Sequence, residues 1–258
     1  MAGILLATGC ATLPPPLRLT EAELATSGTL TVGDPAPPLV TSEWLSGGAV
    51  DSFADDRIYL IEFWASWCGP CVASLPRLDA LARRHGDRLV AVALTTLDED
   101  NDRSAIRRVI ASTEVGLGAA PSFRVAIDAA AQTADAYRRA SRETALPHAY
   151  LVDQKGRLAW HGHPADADPV VAAVVAGTWD RDAARRDDEL RQASALASRA
   201  IVTRYLAADE RGDGDAMLAA VEEACRIPVA LSAGMSPPWW ARTARVRLLV
   251  ERGRSDEA

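Results

Sequence analysis

The chain is poor in several things, and each shortage closes a class of explanation. Cysteine is scarce, with 4 in 258 residues at positions 10, 68, 71 and 225. That is too few for a disulfide scaffold of this length. Basic charge is not in excess: 28 Lys and Arg face 35 Asp and Glu, for a net charge of −7. A nucleic-acid footprint is therefore missing. Lys155 is the sole lysine, which with the many alanines fits the composition of a GC-rich genome rather than a functional demand. No apolar run approaches the roughly 18–20 residues of a membrane span. There is no second C-x-x-C, so the four N or S ligands of a structural zinc site are not assembled in the sequence. What remains is ordinary globular composition, 48% hydrophobic, enough for a proper core.

The stretch that stands out is Trp64-Ala65-Ser66-Trp67-Cys68-Gly69-Pro70-Cys71. Before it, Ile58-Tyr59-Leu60-Ile61-Glu62-Phe63 reads as a buried strand, rich in β-branched and aromatic residues. After it, Val72, Leu75, Leu78, Leu81 and Ala82 recur at helical spacing. The cysteine pair thus sits where a strand ends and a helix begins. Unpaired backbone N–H groups and the helix dipole stabilise a thiolate there. In C-x-x-C motifs the thiol pKa falls from about 8.5 to roughly 3.5–7.5. Cys68, at the helix start, is the better nucleophile, and Cys71, one turn in, the resolving thiol. A structural staple at such a junction, with Gly69-Pro70 between the cysteines, is the weaker reading, and redox chemistry the stronger.

Along the chain, strands alternate with helices. Val32-Gly33-Asp34-Pro35-Ala36-Pro37-Pro38 is extended or turn sequence, since proline forbids helix. Trp44–Val50 reads as a short hairpin around Ser46-Gly47-Gly48. Arg88–Leu94 is a second buried strand, Asp98–Asp102 an acidic loop, and Ser104–Ser112 a helix with Ile106, Val109 and Ile110 on one face. Gly116–Pro121 breaks the chain. Phe123–Ile127 is a strand and Ala130–Ala140 a helix. His148–Asp153 and Arg157–His161 form a hairpin around Gln154-Lys155-Gly156, and Asp166–Ala176 is a closing helix. This order implies a sheet covered on both faces.

Residues 32–176 resemble a thioredoxin-superfamily domain of the TlpA/ResA-like type, the bacterial envelope thiol–disulfide oxidoreductases. The opening Val32-Gly33-Asp34-Pro35-Ala36-Pro37, the Phe63–Cys71 motif, the insert Ile127-Asp128…Ala136-Tyr137, and Leu146-Pro147…Tyr150-Leu151-Val152-Asp153…Gly156 carry the likeness. The resemblance implies an α/β thioredoxin-like fold, with a central mixed sheet flanked by helices, over 32–178. It also implies a cis Leu146–Pro147 bond beside the cysteine pair. Substrate contacts then fall to Trp67, Gly69, Pro70, Leu146 and Pro147, with protein thiols and disulfides as partners, an upstream electron donor, and no cofactor. Two residues depart from the pattern. Glu62 stands where thioredoxins usually carry an aspartate and TlpA-like proteins often an asparagine. His148 replaces the small hydroxyl residue common after the cis-proline. Glu62, buried behind Cys71, would have a raised pKa and move the resolving proton; the plainer reading is a salt-bridged strand residue. Gly69-Pro70 is the pair thioredoxin carries, which favours a reductant, since thioredoxin itself lies near −270 mV against about −120 mV for the oxidant DsbA.

The ends differ in texture. Residues 1–31 combine an apolar stretch, Gly9-Cys10 and a proline-rich linker. They resemble the end of a bacterial lipoprotein signal, which implies Cys10 as the lipidation point and a lipid anchor in the cell envelope; the stretch is short and no basic residue precedes it. Residues 179–258 read as an all-α segment. Leu190, Ala193, Ala197, Ala200, Ile201 and Tyr205 make one apolar stripe. Glu210-Arg211-Gly212 recurs as Glu251-Arg252-Gly253, a faint repeat that resembles tetratricopeptide helical pairs. Such a segment suits a protein partner. A helical array normally ends in a polar cap, whereas residues 254–258 stop where the repeat would begin another helix, so Trp239, Trp240, Leu248 or Leu249 are expected to show apolar surface unless they fold back on the redox domain. Cys225 reads as an inert core thiol, and His85 as a cation at a helix C-terminus.

His161-Gly162-His163 places two imidazoles on one strand face. With no third candidate ligand, no metal site is expected. Two rivals to the redox reading are a thiol peroxidase, which needs a Thr or Ser and an arginine near its peroxidatic cysteine, and a helical-repeat binding protein with an accessory redox domain.

Overall fold

The computed structural model describes residues 30–53, 56–96, 103–143, 145–225 and 239–253. Two compact units divide it, one from Gly28 to Asp188 and the other from Glu189 onward.

In the first unit six strands form one mixed sheet: β1 (Thr41–Ser46), β2 (Ile58–Trp64), β3 (Leu89–Thr95), β4 (Arg124–Asp128), β5 (His148–Val152) and β6 (Leu158–Gly162). Their order across the sheet is β1-β4-β3-β2-β5-β6. β2, β3 and β4 run parallel, while β1, β5 and β6 are antiparallel to their neighbours. The helices are α1 (Gly69–His85), α2 (Arg103–Leu117), a short α3 (Gln132–Ala134) continued as a wide π turn over Asp135–Arg139, and α4 (Ala167–Ala176). This is the thioredoxin-like α/β fold that the sequence motifs imply.

The central strands are buried throughout, which is why β2 and β3 read as unbroken apolar runs rather than alternating ones. Alternation instead assigns side chains to two cores. On one face Leu60, Trp64, Leu151 and Val125 pack with Leu75, Leu78 and Leu81 of α1 and Val171 of α4. On the other face Tyr59, Ile61, Phe63, Val92, Tyr150 and Tyr137 pack together. Each such large apolar side chain contributes about 1.5–3 kcal/mol when fully buried. Pro76 lies inside α1, on its exposed side, where the helix tolerates the missing N–H because Leu75 and Leu78 anchor it.

Two local expectations are corrected. Trp44–Val50 is not a hairpin: β1 pairs with β4 instead, and Gly47 and Gly48, at φ 79° and 77°, carry the chain onward. An isolated two-stranded ribbon has too little apolar surface to hold itself, whereas β4 offers β1 a ready edge. The helix expected over Ser104–Ser112 runs on to Leu117, and the chain breaks at Gly118, within the expected 116–121, where a φ of 68° favours a residue without a Cβ.

The second unit is helical wherever it is described. α5 (Arg181–Glu210) begins in the first unit and continues into the second, followed by α6 (Gly214–Ala224) and α7 (Trp239–Glu251). Ile201, Ala208, Met217, Leu218, Val221, Ala224, Cys225, Leu248 and Leu249 form its core, so Cys225 is a buried thiol as expected. The apolar stripe is narrower than its spacing suggests: Leu190 is 60% exposed and Ala200 also faces outward. Of the residues expected to show apolar surface, Leu248 and Leu249 are instead buried in this core, and among the described side chains of α7 it is Val246 and Val250 that are exposed. The side chains of Trp239 and Trp240 lie outside the described residues. Gly212 and Gly253, the repeated glycines, both adopt positive φ, 65° and 68°, just past the ends of α5 and α7. Among the described residues no helix is long and apolar enough to cross a membrane.

Candidate active site

β2 delivers the chain to the top of the sheet, and α1 starts immediately after. Cys68 is the N-cap of α1, in extended conformation, and its sulfur accepts the Cys71 backbone N–H at 3.3 Å. That bond answers one of the orphan donors of the first turn. Gly69 and Pro70 fill the first helical positions, where the missing proline N–H costs nothing. Cys68 and Cys71 are joined as a disulfide with Cα atoms 5.2 Å apart. Cys68 keeps 7% exposure while Cys71 has none, so an approaching sulfur meets Cys68 first. Trp67 is 66% exposed next to it, and Gly69 and Pro70 are also at the surface. Together they form a rim around the sulfur pair.

Glu62 lies beneath the helix, 1% exposed. Its neighbours across the sheet are Ala93 on β3 and Ala149 on β5. Two alanines leave room for the carboxyl between the strands and α1. Burial pushes its pKa from 4.5 up to about 7, and a hydrogen bond from Ser74 opposes the rise. The reading of Glu62 as a salt-bridged strand residue is thus replaced by a desolvated carboxyl held by a hydroxyl. Ser74 sits one turn beyond Cys71 on α1. Its Oγ lies within hydrogen-bond reach of both the Glu62 carboxyl and, at 2.7 Å, the Cys71 carbonyl oxygen. Sequence reasoning missed Ser74, although its position three residues past Cys71 on a helix was the available signal.

The Leu146–Pro147 peptide bond is cis. The β2–β5 register pairs Phe63 with His148, so Pro147 stands level with Trp64, at the end of the sheet from which the cysteines emerge. Pro147 is buried. Leu146 is half-buried and packs with the core cluster that holds both cysteines. Cys10 lies outside the described residues.

Two histidine expectations change. His85 ends α1, but burial, Arg84 and Arg88 lower its pKa, so the cation expected there is disfavoured. His161 and His163 do not act as a pair. β6 stops at Gly162, and the exposed His163 turns its Nδ1 to accept the Ala165 N–H. His161 is buried instead against His148, with Nδ1 3.0 Å from His148 Nε2, and its Nε2 lies 2.7 Å from Asp188. These two rings and Tyr150, stacked on His161 with centroids 5.3 Å apart, occupy the sheet face opposite Glu62.

A family model described as Redoxin matches residues 31–175. The protein FixW of Rhizobium leguminosarum is 25% identical over 205 residues, covering 78% of this chain and 93% of FixW. The thioredoxin-like protein YneN of Bacillus subtilis is 28% identical over 103 residues, covering 40% of this chain and 54% of YneN. A crystal structure from Chlorobium tepidum, described as a thiol:disulfide interchange protein DsbE, is 25% identical with a TM-score of 0.43, covering 58% of this chain and 99% of that one.

Proposed function

The chain belongs to the Redoxin family, and on that premise we propose that it is a thiol–disulfide oxidoreductase that reduces protein disulfides. The observation that carries this reading is the closed Cys68–Cys71 pair at the start of α1, with Cys68 the more accessible sulfur. In the reduced enzyme the Cys68 thiolate attacks one sulfur of a substrate disulfide. A Cys68–substrate bond forms, the substrate S–S bond breaks, and the departing sulfur takes up a proton. Cys71 then gives up its proton and attacks Cys68 Sγ. The second substrate thiol leaves, and the enzyme keeps the two-electron oxidation as its Cys68–Cys71 disulfide. An external dithiol returns it to the reduced form.

Glu62, with a pKa near 7, is suited to receive the proton that Cys71 loses and to release it in the return half-cycle. Trp67, Gly69, Pro70, Leu146 and Pro147 supply the groove in which the substrate chain lies. Gly69-Pro70 supports a reducing role, and the Gly9-Cys10 pattern supports a lipid-anchored place in the cell envelope. The helices after Asp188, with their recurring Glu-Arg-Gly turns, are read as a tetratricopeptide-like surface for a protein partner.

Insulin reduction by the full chain, with dithiothreitol as donor, tests the reading. Wild type should accelerate insulin precipitation, and Cys68→Ser should not. Consumption of hydrogen peroxide at a comparable rate, without insulin reduction, would transfer the protein to the peroxidase class. Removal of residues 189–258 should leave insulin reduction in place.

A further inference from the structure

We infer that Glu143, His148 and His161 form a binding site for a divalent transition-metal ion of the zinc class. It is distinct from the cysteine pair and lies across the sheet from it. The three residues come from different places: the loop before Pro147, the first position of β5, and β6. Each offers one ligand atom, and these atoms lie within 4.8 Å of one another.

The spacing fits the ion. Bonds of about 2.0–2.2 Å in tetrahedral geometry set neighbouring ligand atoms about 3.4 Å apart. His148 Nε2 and His161 Nδ1 are 3.0 Å apart, and His161 Nδ1 is 3.8 Å from the Glu143 carboxylate. These values bracket the ideal, so small side-chain rotations would close the set. Imidazole nitrogen with one carboxylate oxygen is a donor set that zinc, cobalt and nickel accept.

The surroundings are also those of a metal site. A ligating histidine usually donates its other ring N–H to a carboxylate, which fixes its orientation. His161 does so to Asp188, which is fully buried, and the second Asp188 oxygen accepts the Val32 N–H at 2.9 Å. With the His161 proton on Nε2, its Nδ1 carries a lone pair directed at His148. Metal binding then moves the His148 proton from Nε2 to Nδ1, on the side where Glu143 lies 3.8 Å away. Tyr150 stacks on the His161 ring and limits its rotation. Glu143, 31% exposed at its side chain, is the point of entry; His148 and His161 are buried beneath it. Arg138 also faces Glu143, so the ion shares that carboxylate with a guanidinium. Because His148 follows Pro147 directly, an ion here would brace the segment that leads into the proposed substrate groove.

The test uses the full chain in its oxidised form, with Cys10→Ser and Cys225→Ser, so that no thiolate competes for metal. Metal-free protein is titrated with Co²⁺, followed by visible absorption, and with Zn²⁺, followed by calorimetry. The expected result is one ion per chain, with Co²⁺ displaced by Zn²⁺. Glu143→Gln, at the edge of the site, should weaken binding at least tenfold while leaving the circular dichroism unchanged. Asp188→Asn should weaken it about 10–100-fold, and His148→Ala should abolish it. His163→Ala should bind as the parent does. Absence of stoichiometric uptake by the parent, unchanged affinity in Glu143→Gln and His148→Ala, or loss of uptake in His163→Ala would each overturn the assignment. The readout is independent of disulfide reduction, so its failure leaves the redox reading untouched.

Discussion

Ser74 Oγ bridges the buried carboxyl of Glu62 and the Cys71 carbonyl oxygen. A hydroxyl has one proton, so it can donate to only one of these partners. When the Ser74 proton goes to Cys71, the contact with Glu62 requires the carboxyl's own proton. When Glu62 ionises, Ser74 must turn its proton toward the carboxylate. The state of the acid is thereby coupled to the backbone of the resolving cysteine. Ser74→Ala removes a bond that favours the ionised form, so the Glu62 pKa should rise further above about 7. The pH profile for resolution of a mixed disulfide, followed by stopped-flow, should shift alkaline. An acid shift would contradict the arrangement.

Glu62 should also govern how stability varies with pH. Its pKa is 4.5 in the unfolded chain and about 7 in the native one. Between these values the folded state holds more protons, so stability falls as pH rises. The stability difference is absent below about pH 4.5 and complete above about pH 7. The shift corresponds to about 3 kcal/mol. Glu62→Gln should therefore unfold at higher urea concentration than wild type at pH 8, by up to about 3 kcal/mol, and match it near pH 4.5. The same variant should resolve mixed disulfides more slowly. Urea titrations of the oxidised protein at the two pH values check this, and parallel pH dependence in both proteins would refute it.

The cysteines should behave asymmetrically. Cys68→Ser removes the accessible sulfur and should abolish attack on a disulfide. Cys71→Ser leaves the attack intact and should accumulate a covalent Cys68–substrate adduct, visible by non-reducing electrophoresis and mass spectrometry. Trapping by Cys68→Ser instead would reverse the assigned roles.

Trp67 is 66% exposed beside Cys68. Removing it should affect substrate capture more than folding. Trp67→Ala is expected to alter stability by no more than about 0.5 kcal/mol, the range for surface substitutions, while lowering kcat/KM for a protein disulfide at least threefold. A small disulfide such as oxidised glutathione should lose less. Equal losses for both substrates would remove Trp67 from the binding surface.

The redox pair was legible in the sequence because everything that defines it is local. An apolar strand, two cysteines three positions apart and a helix-period stripe lie within 27 consecutive residues, 58–84. Strand and helix periodicities act over a few residues, so they identified the main elements of the sheet. The burial of Glu62 followed from its place inside a fully apolar run. Its cause came only from the fold, which sets Ala93 and Ala149 on either side and Ser74 above.

What the sequence could not supply was the pairing of distant segments. β1 lacks a partner nearby and finds β4, some eighty residues later. The histidine spacing pointed to His161 with His163, two positions apart. Strand order and register instead bring His161 to His148, and the start of α5 adds Asp188, which is 27 residues from His161. Glu143 enters from the loop before the cis-proline. Side chains this far apart meet only after the backbone has closed its sheet, because hydrogen-bond register, not spacing along the chain, decides which face and which neighbour each one receives.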